Sequence, residues 1–175
     1  MPDPMDYTDS QILIAAYVAS NLVGIVFLWI AYRNTKLARF MFLLLFGWAS
    51  WINYNTGRSD PEVYLDYSER AIGFYSRFIT GWFSDHITLF VSVIAIGQAL
   101  IAIGILLRGW IVTLACVGVM LFLIGIAPLG VYAAFPFSIT VSIAAYLVMS
   151  NDDKDFLWKG VGKGIRAGRK HESIS

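Results

Sequence analysis

Between residues 87 and 149 the chain carries one charged side chain, Arg108, and it sits in "LLRGW", a turn between two apolar runs. A hydrocarbon layer about 30 Å thick is crossed by about 20 apolar residues of helix, with about 17 tolerated. This stretch divides into three such segments, 87–107, 110–127 and 131–149. The last two form one apolar tract interrupted by "APLG", where Pro128 would disrupt a continuous helix and Gly130 favours a turn, so two spans joined tightly are expected. Upstream, segments 12–32 and 38–54 meet the same length requirement. The expected fold is all-α: a polytopic transmembrane bundle of five spans in one domain, residues 1–150, followed by a basic tail, 151–175. With 58% hydrophobic and 14% charged residues, the chain leaves no room for a separate soluble module.

Lys and Arg near span ends are retained in the cytoplasm. With the N-terminus outside, the cytoplasmic side receives Arg33, Lys36, Arg39, Arg108, Lys154, Lys159, Lys163, Arg166, Arg169 and Lys170, and the outer side keeps Arg58, Arg70 and Arg77. That bias sets the expected topology in a cell membrane, inner or plasma, with the C-terminus cytoplasmic. Trp29, Trp48, Trp51, Trp82, Trp110 and Trp158 fall near span ends, where indoles settle among headgroups. The N-terminal residues carry Asp3, Asp6 and Asp9 and no base, unlike a secretory signal, so the first apolar run reads as a retained span. The tail "KGVGKGIRAGRKH" reads as a lipid-facing basic segment. A net charge of +1 gives no reason to expect nucleic acid.

The external segment between the second and third spans, 60–85, opens on Asp60, Pro61 and Glu62, a capping side chain followed by a first-turn proline and acid. Tyr64, Tyr67, Ala71, Phe74, Tyr75, Phe78 and Trp82 then recur on one helical face, with Asp66 and Arg70 spaced as an i,i+4 pair on the other. An amphipathic helix is expected, breakable at Gly73 or Gly81. Two placements fit: flat on the outer leaflet, or as a lid over the outer mouth of the bundle.

Candidate chemistry is sparse. An ionisable group inside a span would be a functional candidate by default, and none is expected within these spans. Cys116 is the single cysteine, which excludes an internal disulfide and a CxxC site and reads as apolar packing. One histidine, His86, lies outside the tail, too few for a His-rich metal or haem site. Ser84 or Asp85 is expected to cap the third span. The glycine pairs Gly97/Gly104 and Gly118/Gly125 suggest close packing of the third span on the fourth. Gln98 is the one amide in the run 87–107. It either hydrogen-bonds to a neighbouring helix or meets a ligand.

The pattern "WFSDHITLFVSVIAIGQALIAIGILLRGW", followed by "LFLIGIAPLG" and "AAFPFS", resembles the DoxX-like integral membrane proteins over roughly residues 38–149. The resemblance implies a four-helix core to which 12–32 adds an N-terminal helix. Many members carry an acid where this chain has Gln98, so a role that needs a carboxylate there is not expected. The family is linked to membrane redox assemblies, including a thiosulfate:quinone oxidoreductase, and the fold also resembles the sterol-binding and sterol-isomerase group, whose paired acids these spans lack. By this analogy the chain is expected to be an accessory protein with no catalytic residues or resident cofactor, binding a quinone or lipid in an outward-facing pocket. Asn53, Tyr54, His86 and Gln98 would line that pocket, covered by Tyr67, Phe74, Phe78 and Trp82. The alternatives are a subunit of a quinone-linked oxidoreductase, whose electron chemistry comes from a membrane or soluble redox partner, and a scaffold for a membrane complex. Besides the lipid bilayer, a homo-oligomeric partner is open.

Overall fold

The computed structural model describes residues 4–69, 71–133 and 135–159. Among them there is no strand. Six α-helices follow one another: α1 (Pro4–Arg33), α2 (Thr35–Ser59), α3 (Gly73–Phe78), α4 (Ile87–Leu106), α5 (Trp110–Ile126) and α6 (Phe137–Asn151). The five long ones close a ring in which α1 packs on α2, α2 on α4, α4 on α5, α5 on α6, and α6 back on α1. Three helical runs, Ile14–Arg33, Gly73–Leu106 and Trp110–Gly130, are long and apolar enough to cross a membrane. α6 is apolar but has 15 residues, about 22 Å at 1.5 Å per residue.

The turns explain these lengths. Asn34 caps α2, its Oδ1 accepting from Leu37 N at 3.0 Å, and so folds α2 back on α1 with no loop between them. The join between α5 and α6 is longer than the tight turn that "APLG" suggests. Residues 127–133 make a 3-10 turn kinked at Gly130, whose φ of 73° suits glycine, and α6 begins only after Pro136. The fifth apolar segment therefore starts its helix at 137 and not at 131.

Close approach holds the ring together, though only half of the glycine stripe takes part. A Cβ on Gly104 would lie 2.9 Å from Ala115, and one on Gly118 would lie 3.0 Å from Ile101, so these two glycines set the α4–α5 contact. Gly97 and Gly125 face open space. Gly57, against Val91, does the same for α2 on α4. Cys116 is fully buried in the shared core.

The segment 60–85 is not one helix. Asp60 ends α2, with its N–H on Thr56 O, and does not cap a new helix. Pro61–Glu69 is a 3-10 helix, α3 follows, and a π-helical turn over Ile79–Phe83 is kinked at Gly81. Ser84–His86 is a 3-10 turn, and the residue at the N-cap of α4 is His86, with φ −135° and no side-chain capping bond, so neither Ser84 nor Asp85 caps this helix; Ser84 Oγ donates instead to Gly81 O. The Asp66–Arg70 pair and the basic run from 160 onward lie outside the described residues.

Candidate functional site

A cavity of about 570 Å³ lies where α2, α4 and α5 meet the 60–85 segment. That size is within the range of about 300–1,000 Å³ usual for small-molecule sites. α2 contributes Phe46, Trp48 and Ala49, α4 contributes Phe90, Val91 and Ile94, and α5 contributes Phe122, Leu123 and Ile126. The 60–85 segment forms a further wall with Tyr64, Tyr67, Tyr75, Phe78, Ile79 and Phe83. Among the described lining residues every polar side chain is neutral: Asn53, Gln98 and the three tyrosines.

Those polar groups are connected. Gln98 is 2% exposed, on the inward stripe of α4 formed by Val91, Ala95, Gln98 and Ala102. Asn53 Nδ2 donates to Gln98 Oε1 at 2.8 Å, and Tyr64 Oη donates to Asn53 Oδ1 at 2.8 Å. Burial, then the neighbouring Tyr67, push the Tyr64 phenol above its ordinary value, with Thr56 pulling the other way. Burial, then Asp66, also raise Tyr67. The bonds run in one sense through both amides, from the Tyr64 phenol to Asn53 and from Asn53 to Gln98. One turn away, Ser50 Oγ donates to Ala95 O at 2.7 Å, a second polar bridge between α2 and α4.

Two bonds tie the 60–85 segment to the far side of the cavity: Tyr75 Oη to Gly125 O at 2.8 Å, and Ile72 N to Pro128 O at 3.1 Å. The segment is therefore a wall of the cavity on one face and surface on the other. Of the eight residues expected to form the pocket, Asn53, Gln98, Tyr67 and Phe78 line it. The other four do not. Tyr54 points to the surface beneath Arg58, whose guanidinium sits 3.7 Å from its ring centroid. Phe74 is 74% exposed. Trp82, 56% exposed, packs beside His86, whose Nδ1 lies 3.0 Å from Trp82 O. The even helical spacing that grouped these residues is broken by the 3-10 and π-helical turns, which rotate Phe74 and Trp82 outward. Tyr64 and Tyr75, which the sequence marks only as part of the aromatic face, also line the cavity and hydrogen-bond there to Asn53 Oδ1 and Gly125 O.

The opposite end of the bundle holds a charge that the span assignment treated as surface. Arg39 is 0% exposed, and all five N–H bonds of its guanidinium are used. Nε and Nη2 donate to Ile105 O (3.0 and 2.6 Å), Nη2 also to Leu107 O (2.7 Å), and Nη1 to Asp152 Oδ1 (2.9 Å) and Asp155 O (2.7 Å). Asp152, 7% exposed, also accepts from Thr35 Oγ1 and from Lys154 N. The expectation that no ionisable group lies within the spans is corrected: Arg39 is buried at the start of α2, neutralised by Asp152 and by the carbonyls that end α4. Residues 152–159 dock on this end and are not part of a free tail; Lys36 pairs with Asp153, and Leu157 is buried. Among the described residues no three of His, Cys, Asp or Glu come together as a metal site.

No protein-family model, curated protein or solved structure matches this chain.

Proposed function

We propose that this chain is a five-span membrane protein of DoxX-like type, with its N-terminus outside, and that it holds a small hydrophobic molecule, a quinone or a lipid, in the cavity under the 60–85 segment. Its role is accessory: binding and presentation of that molecule, with any electron chemistry left to a partner. The cavity carries the reading, an aromatic and aliphatic chamber of about 570 Å³ whose polar groups are neutral and gathered around one chain of hydrogen bonds.

The exterior supports the bilayer half of the proposal. α4 displays Leu89, Val93, Ile96, Leu100 and Ile103 outward at helical spacing while its opposite stripe fills the core, so it is apolar all round. α5 does likewise with Leu114, Leu121 and Ile124. All six tryptophans are more than half exposed, as membrane-surface indoles are. For α6 to count as a span, the 127–136 connector must complete the crossing. Non-helical backbone is tolerated at that depth only when covered by protein, and the bond from Ile72 N to Pro128 O brings the 60–85 segment over the first turn of the connector. The DoxX-like assignment rests on the residue pattern of 38–149.

Native mass spectrometry of the protein extracted in mild detergent tests the reading. A retained neutral species of quinone or lipid mass is expected on the wild type, and Ala49→Phe, which puts a ring into the cavity, should cut its occupancy at least about fivefold. Extraction without any such species, or equal occupancy in the filled variant, would overturn the proposal.

A further inference from the structure

We infer that the cavity selects a neutral amphiphile whose buried polar end is a carbonyl oxygen, recognised by the amide nitrogen of Gln98. The inference rests on the reading of the cavity as a ligand site and specifies the ligand's chemistry. It begins with the direction of the hydrogen-bond chain. The Tyr64 phenol donates to Asn53 Oδ1, Asn53 presents Nδ2 to its neighbour, and Gln98 answers with Oε1. That leaves Gln98 Nε2 as the terminal donor. Gln98 lines the cavity, so this donor stands at its wall. A donor at the wall of an apolar cavity gains a hydrogen bond from a ligand oxygen placed beside it, in surroundings that offer few other acceptors.

The rest of the wall narrows the class. With no charged side chain among the described lining residues, a carboxylate would be buried without a counter-charge, which strongly disfavours a fatty-acid anion. A plain hydrocarbon would fill the volume but offer Nε2 no acceptor. A quinone ring or the ester of an acyl lipid satisfies both conditions: each carries an uncharged carbonyl on an apolar body. Asn53 and Tyr64 are positioning residues, since they act on the ligand through Gln98.

Competition in detergent micelles, read by native mass spectrometry, tests this with four probes: a decyl-substituted benzoquinone, methyl laurate, laurate and dodecylbenzene. On the wild type, the quinone or the ester should bind at least about tenfold tighter than both laurate and dodecylbenzene. Whichever of the two carbonyl probes is favoured tells a quinone site from a lipid-ester site. Gln98→Met, similar in volume but without a donor, should bring the carbonyl probe and dodecylbenzene to within about twofold. Should that variant not fold, Asn53→Leu, which releases the Gln98 amide from its fixed orientation, should reduce the carbonyl preference severalfold. Equal binding of dodecylbenzene and the carbonyl probes, or a preference that survives loss of the Gln98 donor, overturns the inference and leaves the hydrophobic-ligand reading standing. Binding of no probe at all overturns both.

Discussion

A guanidinium with no exposed surface persists in a protein only when its charge and every N–H are answered, and Arg39 shows how three parts of this chain combine to do so. Ile105 and Leu107 present the carbonyls that α4 cannot use itself, and Asp152 and Asp155 come from the segment after α6. Removing one member of such a pair leaves the other buried and unanswered, a loss of about 3–5 kcal/mol. Arg39→Met and Asp152→Leu are each expected to destabilise the bundle on that scale in reversible detergent unfolding. The double variant should recover part of the loss and no more, because the α4 carbonyls still lack their donor. Strictly additive losses would show that the two residues do not act as a pair. This site was not legible in the sequence: the partners stand 113 positions apart, and Arg39 looks like any basic residue at a span end. Gln98 was legible because an amide alone in an apolar run stands out wherever its partners lie.

At the level of elements, the apolar runs 87–107 and 110–127 coincide with α4 and α5, whereas the runs 12–32 and 38–54 lie inside the longer helices α1 and α2, whose polar ends hydropathy does not reach. The start of α6 lies later than the apolar run suggests because apolar composition continues through the 3-10 turn at Ala127–Ala133, and hydropathy cannot separate an α-helix from such a turn. The 60–85 segment was read as amphipathic, yet its 3-10 and π-helical turns alter the angle per residue and decide which aromatics face the cavity. The docked segment 152–159 carries a prediction of its own. Asp153 is held below the usual carboxylate range first by its hydrogen bond with Lys36 and then by the N–H of Asp155, and Asp155 by the N–H of Phe156 and by Lys159. Because the folded values are the lower ones, the docking they support is complete above the unfolded value of about 4 and is lost as pH falls through the folded values. Hydrogen exchange over 152–159, corrected for intrinsic rates, should therefore show constant protection from about pH 7 to 5 and a decline below about 4. High salt should shrink the decline, since these carboxylates are largely exposed. Protection lost between pH 7 and 5 would rule this account out.

For the whole molecule, the proposed function depends on which solvent surrounds the ring and which way the ring faces. The described cations divide between its ends: Arg33, Lys36, Arg39, Arg108, Lys154 and Lys159 gather at the end closed by Asp152, while Arg58 and Arg77 flank the cavity segment. If basic residues are retained on the cytoplasmic side, the cavity opens toward the exterior and the Arg39 cluster faces the cell interior. Cys116 simplifies the test, because it is the only cysteine and is fully buried. In a Cys116→Ala background, a membrane-impermeant maleimide applied to intact cells should label Asp66→Cys within minutes. It should leave Lys159→Cys untouched until the membrane is permeabilised. Labelling of both positions without permeabilisation would mean that the ring does not span a bilayer. Labelling of Lys159→Cys alone would turn the molecule over, place the cavity at the inner surface and require the ligand to arrive from the cytoplasmic side.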